Sequence, residues 1–176
     1  MTKILTCLMA LVMLFIGACF SDAELIVKNN STGDAWVRID SGYERFIPAM
    51  SRRTIGVSGT HTVALHYRGD HILRGVIYVD MSYGGGQNLT LEPNCGALRI
   101  RNSSNRSIRG AYLTRSGSNQ WGGNILDGHL QSGTSETISL NPDLWDLKIE
   151  DQHYNFYYYS GLKVNLDQTR VLSFNP

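Results

Sequence analysis

The chain is 176 residues long, the size of one ordinary domain or two small ones. Only 18% of it is charged and the formal net charge is +1, with Lys3 in a segment expected to be removed. No basic stripe is left to track a phosphate backbone, which argues against nucleic-acid binding.

The chain opens on an export signal. Lys3 supplies a positive start, and ILTCLMALVMLFI (4–16) is an apolar run long enough for the core of a signal peptide but short for a membrane span. Two cuts are written after it. IGAC (16–19) resembles a bacterial lipobox, with Ile16 where Leu is usual and Gly17 beside it. That reading gives a signal peptide over residues 1–18 and a lipid on Cys19. SDA (21–23) carries small residues where an ordinary signal peptidase reads, giving the alternative of a signal over 1–23 and a mature chain starting at Glu24. Both place the mature protein outside the cytoplasm, either as a membrane-anchored lipoprotein in the periplasm or at the cell surface, or as a soluble secreted protein. Cys7 leaves with the signal. With Cys19 acylated, Cys95 has no intramolecular partner, so the fold must stand on packing rather than disulfides; Cys95 is expected as a small buried residue, with an intermolecular link or a reactive thiol as the alternatives.

After residue 24 no stretch has helical periodicity, and Gly, Ser, Thr and Asn are plentiful among β-branched residues, which suits strands joined by turns. The segments that follow form a repeat. ELIVKNNST (24–32) is answered by ALRIRNSSN (97–105), TIGV (54–57) by TISL (137–140), VALHY (63–67) by WDLKI (145–149), and NLTL (88–91) loosely by RVLS (170–173). The offset grows along the chain, so the second copy carries an insertion between residues 114 and 131. Each copy reads as short segments of period 2. Leu98 and Ile100 face one way while Arg99 and Arg101 face the other; Trp145, Leu147 and Ile149 oppose Asp146, Lys148 and Glu150. Sheets with one buried and one wet face follow. The expectation is an all-β chain of two tandem small antiparallel β-sandwiches, immunoglobulin-like in size, over 24–93 and 94–176, joined at EPNCG (92–96). The alternative is one larger sandwich built from both halves.

The second copy carries a longer pattern: Asn102 and Ser104; Tyr112 and Leu113; Ser118, Trp121, Gly122, Asn124 and Leu126; Leu130, Gly133, Ser135, Thr137, Ile138 and Leu140; then Trp145, Asp146, Leu147 and Lys148. In this it resembles a small β-sandwich repeat of exported bacterial proteins with a Trp-Gly-x-Asn/Asp-x-Leu segment. The resemblance implies a fold and an exported setting; it implies no activity, catalytic residue or cofactor. The first copy lacks the Trp-Gly segment.

Two stretches stand out as candidate binding residues. SGSNQWGGNIL (116–126) places Trp121 among glycines. A phosphate cradle would need a following helix and a Lys-Ser/Thr pair, and neither is present. The structural expectation is that Gly122 and Gly123 adopt backbone angles closed to other residues while Trp121 lids one end of the core; the functional one is an exposed indole that stacks on a sugar or fills a partner's cavity. HYNFYYYS (153–160) as a strand puts Tyr154, Phe156 and Tyr158 on one face and Tyr157 and Tyr159 on the other, more aromatic surface than a solvated strand needs. Asp127, Asp143, Asp146, Glu150 and Asp151 match no Ca²⁺ loop, the histidines show no zinc spacing, and no Gly-x-Ser-x-Gly elbow is present. The Asn-x-Ser/Thr sites at Asn29, Asn30, Asn88, Asn102 and Asn105 read as turns. The chain is therefore expected to be a non-enzymatic, exported binding or structural module, without cofactor or metal. Its expected partners are the membrane, through the lipid, and an envelope protein or glycan. A secreted carbohydrate-binding module using Trp121 and the Tyr-rich strand is the alternative, and a small secreted enzyme or inhibitor a third.

Overall fold

The computed structural model describes residues 23–59 and 61–176; the expected signal peptide over 1–18 and the expected lipid site at Cys19 lie outside the described residues. Alternating apolar and polar residues fold as strands throughout. In β1 (Ala23–Asn29) Leu25 and Val27 are buried while Glu24 and Lys28 reach water. The first half continues with β2 (Ala35–Ile39), β3 (Arg45–Ile47), β4 (Arg52–Val57), β5 (Thr62–Gly69), β6 (Gly75–Asp80) and β7 (Gly86–Leu91). The second half holds β8 (Gly96–Asn102), β9 (Ile108–Arg115), β10 (Ser135–Leu140), β11 (Asp143–Asp151), β12 (Phe156–Val164) and β13 (Thr169–Phe174). Among the described residues there is no helix.

The fold is all-β, as two tandem sandwiches. In the first, a sheet of order β4-β1-β7 packs on one of order β3-β2-β5-β6; in the second, β10-β8-β13 packs on β12-β11-β9. Leu25, Val27, Val37, Ile47 and Leu65 anchor the first core, and Leu98, Ile100, Leu147, Ile149 and Phe174 the second. Each such side chain, fully buried, contributes about 1.5–3 kcal/mol. Among the described residues no sheet spans both halves, so the single larger sandwich is not what forms.

Pairing is antiparallel throughout the β3-β2-β5-β6 and β12-β11-β9 sheets, as expected, and the other two sheets add one parallel strand each: β7 runs parallel to β1, with Glu24 opposite Gly86, and β13 runs parallel to β8, with Thr169 opposite Ala97. Alternation along a strand says which face is buried but not which way the neighbouring strand points.

The sequence repeat maps onto equivalent strands: β1 and β8 are the centres of their sheets, β4 answers β10, β5 answers β11 and β7 answers β13. The Asn-x-Ser turns are duplicated in atomic detail. The Asn29 amide donates to the carbonyls of Gly33 and Ile47, and the Asn102 amide to those of Arg106 and Leu130. In both copies the Ser hydroxyl donates to the Asn Oδ1 at 2.7 Å. These two asparagines, read as turn residues, are buried pins between the sheets.

The halves are knit at a polar joint. The N–H groups of Asn94 and Cys95 donate to the His71 carbonyl, and Asp167 N–H donates to the Cys95 carbonyl. The Thr32 N–H donates to Asp167 Oδ1 at 2.8 Å. The buried His71 ring sits with Nδ1 3.1 Å from Asp167 Oδ1 and Nε2 2.8 Å from Thr169 Oγ1. Cys95 is free and buried there, as expected of a small packed residue, and burial pushes its thiol up to about 11, with the Ser139 hydrogen bond opposing.

Candidate functional site

The outer face of the β12-β11-β9 sheet gathers aromatic side chains around one cation. Lys148 on β11 lies opposite Tyr112 on β9 and Tyr158 on β12. Its ammonium is 4.6 Å from the Tyr112 ring, 5.1 Å from Trp121 and 5.4 Å from Phe156. Trp121 meets Tyr158 edge-on at 6.1 Å, with the planes 65° apart. A partly desolvated cation against ring faces contributes about 0.5–2 kcal/mol per well-placed ring. At the rim, the Tyr112 hydroxyl donates to Glu150 Oε2 at 3.0 Å, and that bond, with some burial, raises the phenol above its ordinary value. Arg109 stacks 4.1 Å above Tyr154.

The stretch 116–126 does not fold as an ornamental turn. It runs back along the edge of β9, held by Gly122 N–H to the Leu113 carbonyl, Thr114 hydroxyl to the Gln120 carbonyl, and Ala111 N–H to Asn124 Oδ1. Leu126 and Leu130 plug into the core below it. The Trp121 indole is thereby laid on the outer face against Tyr158, not over the end of the core. The left-handed backbone angles fall at Gly117 and Gly128 rather than at Gly122 and Gly123. Gly122 has a different reason to be small: a Cβ there would stand 3.3 Å from the Leu113 carbonyl oxygen.

Of the other candidate residues, Tyr158 is 64% exposed and central to the platform. Tyr154 sits in the turn before β12 with φ +65° and is also exposed. Tyr157 and Tyr159 point the other way and pack on the core. Tyr157 makes an edge contact with Phe174 and donates its hydroxyl to Asp151, so these two tyrosines are corrected to structural residues. Tyr112, Lys148 and Phe156 were not read as site residues. The signal available was the outward Lys148 on a strand flanked by aromatic ones, legible once pairing is known.

The five second-copy carboxylates do not converge. Asp143 pairs with Arg115 at 3.4 Å, Asp146 accepts from Ser116 and Gly161, and Asp127 lies apart in a loop. Asp151 is fully buried; burial pushes its carboxyl up, but Asn155, the His153 N–H and Arg106 together hold it well below the usual carboxylate range. Among the described residues no three His, Cys, Asp or Glu side chains form a metal-sized cluster.

No family model matches the chain, and no curated protein does. Several solved structures resemble it distantly. The Bacillus anthracis TIE protein is 11% identical over 89% of this chain with a TM-score of 0.37, and the match spans only 34% of that protein. The minor pilin GBS52 of Streptococcus agalactiae is 7% identical over 87% of this chain and 94% of its own, with a TM-score of 0.33. A candidate cell adhesion protein of Bacteroides ovatus is 9% identical over 89% of this chain and 93% of its own, with a TM-score of 0.37. At these scores the likenesses carry no argument about function; the fold stands on the strand pairing.

Proposed function

We propose that the chain is a non-catalytic binding module of the cell envelope that docks a partner protein through the aromatic platform around Lys148. The apolar segment at 4–16 and Cys19 support export and a lipid anchor, with soluble secretion from Glu24 the other form. The carrying observation is the platform itself: Trp121, Tyr158, Phe156 and Tyr112 stand around a lysine, on a sheet face fixed by the strands beneath it. Protein interfaces concentrate aromatic side chains at their centre with polar groups at the rim, and here the half-buried lysine holds the rings together.

A glycan site built on Trp121 and the Tyr-rich strand needs a flat patch with at least two of Tyr157, Tyr158 and Tyr159 exposed. Only Tyr158 is, and Trp121 meets it at 65° rather than in one plane. A notch between tilted rings suits a partner's side chain better than a flat sugar.

The test is photo-crosslinking in the native host with a benzoylphenylalanine placed at Tyr158 and, as a control, at Tyr83, which is still more exposed. A discrete adduct from position 158, absent from 83 and lost with Trp121→Ala, is the expected result. The same products from both positions, or none from 158, would overturn the docking role. Intact mass of the membrane-extracted protein settles the anchor: residues 19–176 plus acyl chains, lost in Cys19→Ala, against an unmodified mass from Glu24.

A further inference from the structure

The repeat places a second outward face on the first sandwich, and its chemistry differs. Arg38 on β2 and His66 on β5 lie opposite each other where the second copy has Tyr112 and Lys148. Over this face lies a groove of about 780 Å³ whose floor is the paired strands β2 and β5 and whose walls are the β2–β3 and β5–β6 turns. Three arginines, Arg38, Arg68 and Arg74, line it; among the described lining residues Glu44 is the one carboxylate. Glu44 is already taken, accepting from Arg68 Nε at 2.9 Å and Nη2 at 2.8 Å. Arg38 and Arg74 form no ion pair among the described residues. Tyr43 stands in the wall at 91% exposure, and Arg68 lies 4.9 Å over the ring of Trp36.

We infer that this groove binds an acidic polysaccharide, a chain of uronic-acid sugars whose carboxylates pair with Arg38 and Arg74 while Tyr43 and the Trp36–Arg68 stack receive the sugar rings. Charge complementarity calls for an anion, since two planar guanidinium groups without partners converge on one groove. The floor decides between the two common polyanions an exported protein meets. β2 and β5 spend their backbone groups on each other and on β3 and β6, so the groove offers a peptide no main-chain pairing and recognition falls to side chains. Exposed tyrosine and arginine planes suit the C–H faces and carboxylates of a sugar acid. The inference is independent of the platform around Lys148.

The test is calorimetry on the protein purified from its host, with hexagalacturonate as probe, and with an uncharged glucose hexasaccharide and hexaglutamate as comparators. Hexagalacturonate should bind, and the pair Arg38→Ala with Arg74→Ala should weaken it by about tenfold or more, as should raised salt. Tyr43→Ala should weaken it several-fold, and Trp121→Ala should leave it unchanged. All three first-sandwich side chains are exposed and outside the core, so the variants should melt like the parent. Hexaglutamate binding as tightly as hexagalacturonate would make this a site for acidic peptides and overturn the inference. So would no binding of hexagalacturonate at millimolar concentration, or binding indifferent to the double substitution.

Discussion

Single residues carry unequal weight in this molecule. Asn29 and Asn102 hold buried carbonyls on two sides of their turns, so truncation leaves acceptors without donors. Asn29→Ala and Asn102→Ala should each cost about 2–3 kcal/mol in urea unfolding, and by similar amounts, because the geometry is the same in both copies. A loss well under 1 kcal/mol would mean water replaces the amide. Asp151 makes a pH prediction. Its carboxyl titrates lower in the folded chain than in the unfolded one, so it contributes stability above the unfolded value of about 3.9, and that contribution is lost as the pH falls through the folded value. The parent should therefore lose stability steadily below about pH 4, and Asp151→Asn should be less stable at pH 7 but flatter with acid; equal acid slopes would sink the assignment. At the platform, the ring faces around Lys148 should shift its Cε protons upfield in NMR spectra, and Trp121→Ala should move them back toward the random-coil position.

At the scale of elements, the strands were legible in the sequence and their neighbours were not. Period-2 alternation identified β1, β8 and β11 and their buried faces, and the repeat paired β4 with β10 and β5 with β11. It could not foresee that β7 and β13 close their sheets in parallel, since alternation is indifferent to direction. Nor could it show that the insertion folds along β9, because that path depends on polar anchors such as Asn124 rather than on any period. The linker of the joint at 92–96 was legible, but the polar contact that locks it was not, because His71 and its partner Asp167 lie 96 residues apart. The platform depends on its strands at one tight spot. A Cβ on Gly110 would stand 2.8 Å from the Tyr112 hydroxyl oxygen and 3.0 Å from its ring. Gly110→Ala should thus turn the Tyr112 ring away, break its bond to Glu150 and reduce the Lys148 upfield shift with little change in overall fold. An unchanged Lys148 spectrum would show that Tyr112 is not a wall of the cage.

Across the whole molecule, the two sandwiches are tied by a short linker and by hydrogen bonds converging on Asp167. Asp167→Ala removes the acceptor shared by Thr32 and His71 and should split one unfolding transition into two. Cys95 reports on the same event, since a buried thiol with a raised pKa reacts with a disulfide reagent only when the joint opens. Its labelling should be slow in the parent and faster in the variant; identical rates would mean that the linker and local packing hold the halves without Asp167. The parallel closing strands have a mechanical consequence. In each sandwich the chain enters along the central strand and leaves along the neighbour that runs the same way, β1 beside β7 and β8 beside β13. With the proposed lipid anchor at one end and a partner held on the second sandwich, a pull would load β1 and β7 in opposite senses. The backbone bonds between them would then share the force side by side instead of peeling one after another, so the arrangement that joins the ends of the first sandwich would also make it hard to pull apart.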